Sequence, residues 1–171
     1  MSLREVLTFP NPVNEKAARS VAAGVVVLAS LTLVTQWWWL CVLLAAGFAL
    51  RVAAGPRFSP LGRLAVHVVA PRFGSPRLVP GPPKRFAQAV GLVTSAAAAV
   101  AALGFGATTV ASVLLGVLVV FATLESALGF CAGCWAFGHL MRLGVIPEET
   151  CEACNDITLR RRDRENAAQP A

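Results

Sequence analysis

Charge is what this sequence has least of, and it is missing in blocks. Only 14% of its 171 residues are charged, against about 25% in a soluble domain. No charged residue lies between Arg19 and Arg51, and none between Arg85 and Glu125. Stretches of that length without charge exclude an ordinary water-facing helix or loop. Also lacking are a Ser/His/Asp arrangement, a phosphate-binding glycine loop and a pair of neighbouring catalytic carboxylates, so the sequence gives no basis for the chemistries that need them. No internal repeat is strong enough to argue from.

What fills the gaps is apolar. A helix needs about 20 apolar residues to cross a hydrocarbon core of roughly 30 Å. The second gap, 39 residues from Phe86 to Leu124, holds two such helices with a turn at Gly104-Phe105-Gly106. The first gap, 31 residues, would make one helix of about 47 Å, more than a tilted span absorbs. Broken near Thr35-Gln36, it gives two helices of about 18 residues each. Arg19 and Arg51 then share one membrane face, where their stems snorkel, while Trp37, Trp38 and Trp39 lie at the other, where indoles favour the interface.

Charge placement sets the number of spans. With four, all 15 Lys and Arg residues fall on one side: three before the first helix, seven from Arg51 to Arg85, five from Arg142 onward. Three spans would put a strongly basic segment outside, so the positive-inside rule favours four helices with both termini in the cytoplasm. A cleaved signal peptide is disfavoured by the long lead with Glu5, Glu15 and two prolines. The net charge of +6 is accounted for by this asymmetry and does not call for nucleic acid. The expected fold is therefore all-α: a polytopic protein of a bacterial inner membrane, with the lipid bilayer as its first partner. Residues 1–16 form a cytoplasmic lead. Residues 17–128 form the membrane domain, with spans at 17–35, 37–54, 86–104 and 107–128 and a cytoplasmic loop at 55–85. Residues 129–157 form a small cysteine-bearing cytoplasmic cap, and 158–171 a basic, disordered tail.

Within this frame Asn14 is a candidate N-cap for the first span. In the loop, Ser59-Pro60 reads as an N-cap followed by Pro at the first helical position. Leu61, Leu64, Ala65 and Val68 then follow at helical spacing, which fits either an interfacial amphipathic helix or a loop-packing one, ended by Pro71. The proline-rich run from Pro71 to Lys84 is expected to be extended, with Arg85 opening the third span. There Gly91, Ser95 and Ala99 form a small-residue stripe suited to close helix packing.

The residues that could carry chemistry sit near the C-terminus. Cys131-Ala-Gly-Cys134 falls where the fourth span reaches the cytoplasm, and Cys151-Glu-Ala-Cys154 follows after sixteen residues. Two such pairs match the spacing of a four-cysteine structural zinc site, which would pin a cap with little core of its own. The competing reading is dithiol chemistry. A CxxC at a helix start favours a reactive thiolate, with Cys131 and Cys134 reacting and Cys151 and Cys154 resolving or relaying. An iron–sulfur cluster is a further option that these spacings do not single out. Quinone-linked disulfide-forming enzymes are also four-helix membrane proteins with vicinal cysteines, but they work on the outer face, whereas charge topology places these pairs inside. Cys41, alone in an apolar helix, reads as a small hydrophobe. Glu125 is the one acid within the apolar segments and a functional candidate by default; at its level Arg51 and Arg85 are the candidate ion-pair partners that would fasten the fourth helix. His139 reads as a solvent-facing or spare residue beside the cysteines, and His67 as interfacial. The spans offer almost no polar lining for a transport path beyond Glu125.

Several runs together resemble the DUF4395 family of membrane proteins: Phe9-Pro-Asn-Pro-Val-Asn-Glu-Lys-Ala-Ala-Arg19, Gly81-Pro-Pro-Lys-Arg-Phe-Ala-Gln88, Leu128-Gly-Phe-Cys131-Ala-Gly-Cys134 and Gly144-Val-Ile-Pro-Glu-Glu-Thr-Cys151-Glu-Ala-Cys154. The resemblance spans roughly residues 9–157. It implies a membrane protein of actinobacterial type, thioredoxin-like or sulfurtransferase partners, and thiol or sulfur-transfer work centred on the first cysteine pair.

Overall fold

The computed structural model describes residues 11–57 and 59–151. Four helices form its body: α1 (Glu15–Thr35), α2 (Trp39–Ala54), α4 (Gly81–Ala99, widening into a π-helical turn to Gly104) and α5 (Thr108–Thr123, with a π-helical turn to Leu128). A short helix α3 (Pro60–Leu64, continued by irregular turns to Phe73) lies in the connection between α2 and α4. Helix α6 (Ala132–Arg142) follows α5, and a single 3₁₀ turn, Glu148–Cys151, closes the described chain. In the bundle α1 packs on α2 and α5, while α4 packs on α2 and α5 from the other side and carries α6.

Three of these helices, Glu15–Thr35, Gly81–Gly104 and Thr108–Leu128, are long and apolar enough to cross a membrane; α2 is apolar but has 16 residues. Their surfaces are apolar on both sides. On α5, Ala111, Leu115, Leu118 and Ala122 are buried, while Val110, Val113, Val117 and Val120 on the opposite side are exposed. In lipid the hydrophobic effect does not hold helices together, and close packing of small residues does that work. The main core fits this rule: half of its twelve buried residues are alanines, and Cys41 lies among them. Gly91 is the tightest point, since a Cβ there would come within 2.4 Å of the Phe48 ring on α2. The stripe at Gly91, Ser95 and Ala99 is therefore a packing surface, with Ser95 Oγ–H donating back to the Gly91 carbonyl at 2.7 Å.

Several expected boundaries are present for the expected reasons. Asn14 caps α1 by accepting from the Lys16 amide at 3.0 Å. The break after Thr35 is made by Gln36 in the left-handed conformation, its N–H donating to the Thr32 carbonyl. Ser59 caps α3 ahead of Pro60. Three expectations need correction. Helix α4 begins at Gly81, not Arg85, because Pro82 and Pro83 sit in its first turn, where an amide hydrogen is not needed. The stretch before it is not simply extended: Leu78–Val79 pairs antiparallel with Val13–Asn14. The α3 segment runs past Pro71 to Phe73 and buries Ala65 and Ala70 against Ala17 and Val21 of α1, while Leu64 and Val68 face outward.

Candidate functional site

The charged end of the bundle is assembled from four helix ends. Glu125, in the π-helical turn of α5, takes a hydrogen-bonded ion pair from Lys84 of α4 at 2.7 Å, with both side chains at least 86% buried. This corrects the expected pairing. Neither Arg51 nor Arg85 meets Glu125: Arg85 Nε donates to the Val52 carbonyl, and Arg51 is held by neutral partners. Arg51 Nε donates to Gln88 Oε1 at 2.7 Å, its Nη1 donates to Ser59 Oγ at 3.0 Å, and its guanidinium lies 4.5 Å from the Phe48 ring centre. Arg19 of α1 donates to the Ser126 and Ala127 carbonyls, which α5 leaves without helical partners at its end. The fastening of α5 to α4 is thus present with a different cation. A helix start at Arg85 leaves Lys84 outside α4 and so hides it as the partner of Glu125. Extended back to Gly81, the face Lys84, Gln88, Gly91 and Ser95 reads at i, i+4, i+7 and i+11, a signal that was there to find.

Immediately beyond Glu125 the chain reverses. Gly129 adopts φ +71° and ends α5, and a Cβ there would stand 3.1 Å from a Glu15 carboxylate oxygen. Phe130 and Cys131 then lead into α6, of which Cys131 is the N-cap: its sulfur accepts the Cys134 amide at 3.3 Å. Cys131 and Cys134 form a disulfide, their Cα atoms 5.2 Å apart. Helix α6 is pressed onto α4 at Gly133, where a Cβ would be 2.6 Å from the Ala87 Cβ, and again at Phe137, whose ring centre lies 5.7 Å from that of Phe86.

The disulfide separates two spaces of opposite character. On one side is an apolar cleft of about 510 Å³ between α1, α4, α5 and α6, lined by Val25, Gly91, Leu118, Ala122 and Cys131 among others, with Glu125 at its charged end. On the other is a polar mouth of about 690 Å³, lined by Glu15, Arg77, Lys84, Arg142 and both Cys131 and Cys134. Cys131 belongs to both spaces and Cys134 to the polar one alone. Nothing in the sequence marked the cleft, because its lining is the same Val, Ala and Phe that fill the spans.

Of the second pair only Cys151 is among the described residues. Cys151 is itself disulfide-bonded and packs with Phe137 and Met141 further along α6; Cys154 lies outside the described residues. Among the described residues no three His, Cys, Asp or Glu side chains converge as metal ligands. The four sulfurs needed for the expected zinc site are therefore not seen at one point in this part of the chain. His139 is exposed and stacks edge-on against Trp135, with ring centres 4.2 Å apart, and His67 is exposed on the α3 segment. Cys41 is a free thiol with no exposed surface in the apolar core.

Comparison with curated proteins and with solved structures found no match. The model of one family, described as a domain of unknown function (DUF4395), matches residues 13–142. That segment begins at the β-ribbon, takes in all four bundle helices and α6, and stops short of Cys151, so it encloses the first cysteine pair and not the second. The match covers well over half of the chain, and the protein belongs to the DUF4395 family.

Proposed function

We propose that this protein is a membrane-embedded thiol–disulfide oxidoreductase whose working pair is Cys131 and Cys134. The observation that carries the reading is the position of their disulfide, capping α6 at the floor of a polar mouth. A helix N-terminus favours the thiolate form of a cysteine there, which makes it a good leaving group and nucleophile. Exchange then runs as a two-electron transfer. A thiolate of a soluble dithiol partner attacks the Cys134 sulfur, the S–S bond breaks, and Cys131 leaves as thiolate. The partner's second thiolate resolves the mixed disulfide, so that the partner is oxidised and the pair reduced.

We read the bundle as four spans, with α2 as the fourth beside the three long apolar helices. α2 alone is about 24 Å long, but with Trp37 and Trp38 ahead of it the apolar stretch reaches across the bilayer. Both termini and the charged end then face the cytoplasm of a bacterial cell, following the Lys and Arg excess. A disulfide on that side is held in a reducing compartment, where disulfides are usually transient and catalytic rather than structural. A thioredoxin-like protein or a sulfurtransferase is the class of soluble partner that suits the mouth. Sulfane-sulfur transfer would use the same thiolate.

The test is free-thiol and metal content of the protein purified in detergent without reductant or chelator. Two thiols at Cys131 and Cys134 that appear on mild reduction, and a Cys131→Ser variant whose Cys134 thiolate traps a mixed disulfide when the partner is offered in its disulfide form, are expected. About one zinc per chain, with four thiols shielded until chelator is added, would overturn the proposal in favour of a structural cap.

A further inference from the structure

Resting on the thiol reading above, we infer that the apolar cleft behind Cys131 binds a lipid-soluble quinone, and that this quinone is the electron acceptor that restores the Cys131–Cys134 disulfide. A pair that oxidises partners must hand its electrons on, and it borders a second space on the Cys131 side. That space is of ordinary size for a small-molecule site, within the range of about 300–1,000 Å³. Its lining is almost wholly carbon, which refuses a soluble oxidant such as a nucleotide. Its rim carries exposed apolar side chains, Val90, Val117, Phe121 and Trp135, so an isoprenoid tail can enter sideways from the bilayer.

The polarity of the cleft runs the right way for such an occupant. The part at Val25, Thr94 and Leu118 suits a tail; the other end, at Cys131 and the Gln88 side-chain amide with its N–H donors, suits a ring with two carbonyl oxygens. An acyl chain of a phospholipid fits the carbon lining equally well, but it accepts no electrons. The step balances without a further reagent. The reduced pair gives two electrons and two protons, the S–S bond forms, and the quinone becomes the quinol. The two cysteines divide the labour accordingly: Cys134 faces the soluble dithiol, and Cys131 faces the acceptor.

The experiment uses the full chain in detergent, reduced, desalted and kept anaerobic. The probe is a ubiquinone analogue with a fully substituted ring and a decyl tail, so that thiols cannot add to the ring. Peptide mapping of alkylated cysteines reports Cys131 and Cys134, and absorbance reports the quinol. The expected result is one quinol formed per disulfide, with Ala122→Phe, which fills the cleft, and Val90→Trp, which blocks its rim, each slowing the reaction by roughly tenfold or more, a loss of about 1.4 kcal/mol. Both variants should react with diamide at the rate of the parent protein, which separates a blocked cleft from a damaged fold. Disulfide formation by diamide but not by the quinone, or quinone rates unchanged in both variants, would overturn the inference and leave the thiol reading standing. Co-purified phospholipid with no quinol formed would identify an acyl-chain seat instead. Failure to form the disulfide with either oxidant would sink both readings together.

Discussion

The two ends of this bundle are built on different principles. At the tryptophan end every polar tie is local: Gln36 N–H reaches back to Thr32, Gln36 Nε2 to Leu33, Thr35 Oγ to Leu31, and Ala107 N–H to Ala101. At the charged end, beside local ties such as Arg51 with Ser59, several join residues 33 to 108 positions apart, from Arg85 with Val52 to Arg19 with Ala127. The first end only reverses the chain. The second states which helix stands beside which, through Lys84–Glu125, Arg51–Gln88 and Arg19 on the end of α5. The candidate site grows out of that second end, since α6 begins seven residues after Glu125. Fold specification and chemistry therefore share one layer, and mutations can test whether they are separable.

The largest effect is expected at the cysteines, and it should fall on chemistry alone. Cys134→Ser should abolish exchange with a dithiol partner completely while leaving the helical content and the detergent elution profile unchanged. Cys131→Ser should do the same, with the difference that, given the partner in its disulfide form, its Cys134 thiolate attacks that disulfide and the mixed disulfide accumulates. Alkylation kinetics beside circular dichroism would check both. A collapse of the fold in either variant would show the pair to be a structural staple and erase the distinction between the two roles of this end.

Next in size is the buried ion pair. Glu125→Ala leaves the Lys84 ammonium enclosed without its carboxylate, and breaking a buried pair from one side costs about 3–5 kcal/mol. Replacing both partners, Lys84→Met with Glu125→Leu, removes the charge together with its desolvation and should return most of that loss. Unfolding of the two variants and the parent in mixed micelles measures the difference. Equal destabilisation of the single and double variants would mean that the pair acts through the charge of Glu125 on its surroundings, not through Lys84.

The contrast between the ends also explains what could be read from the sequence. The helices, the two tight turns and the caps at Asn14 and Ser59 were legible because apolar length, missing charge and local capping chemistry are properties of a few adjacent residues. The small-residue stripe on α4 was legible for the same reason. The partner of Glu125 was not, because choosing among Arg51, Lys84 and Arg85 depends on the rotation of α4, which its start at Gly81 sets. The β-ribbon between Val13–Asn14 and Leu78–Val79 joins two residue pairs that carry no strand pattern. The cleft was hidden because an unfilled space leaves no mark on the residues around it. The cysteine pairs stood out at once, yet that Cys151 seats against Phe137 and Met141 is a matter of packing on α6, and spacing along the chain says nothing of that.

A smaller effect belongs to the middle of the bundle, where Phe48 packs on Gly91. Gly91→Ala places a methyl group 2.4 Å from the Phe48 ring, and overpacking of this kind costs about 1–3 kcal/mol. Phe48→Leu in the same chain should relieve part of it, so the double variant should be more stable than the two single effects add up to. Strict additivity would show that the ring moves aside freely and that α2 and α4 are not held at this point.

The smallest effects are expected among three neighbouring tryptophans at the quiet end, and they divide the end itself. Trp37 and Trp39 are 61% and 63% exposed, whereas Trp38 is partly buried against the main core. Trp37→Ala and Trp39→Ala remove contacts with surrounding lipid or detergent only, and surface changes of that kind fall within about 0.5 kcal/mol. Trp38→Ala opens space against the packed helices and should cost more, toward the 1–3 kcal/mol typical of partial core truncation. In vesicles the order should narrow, because exposed indoles anchor at the interface and their loss is felt only where there is one. Larger losses for Trp37 and Trp39 than for Trp38 in vesicles, with the reverse in detergent, would mean that the tryptophan end is specified by the bilayer, and the charged end by the protein's own bonds.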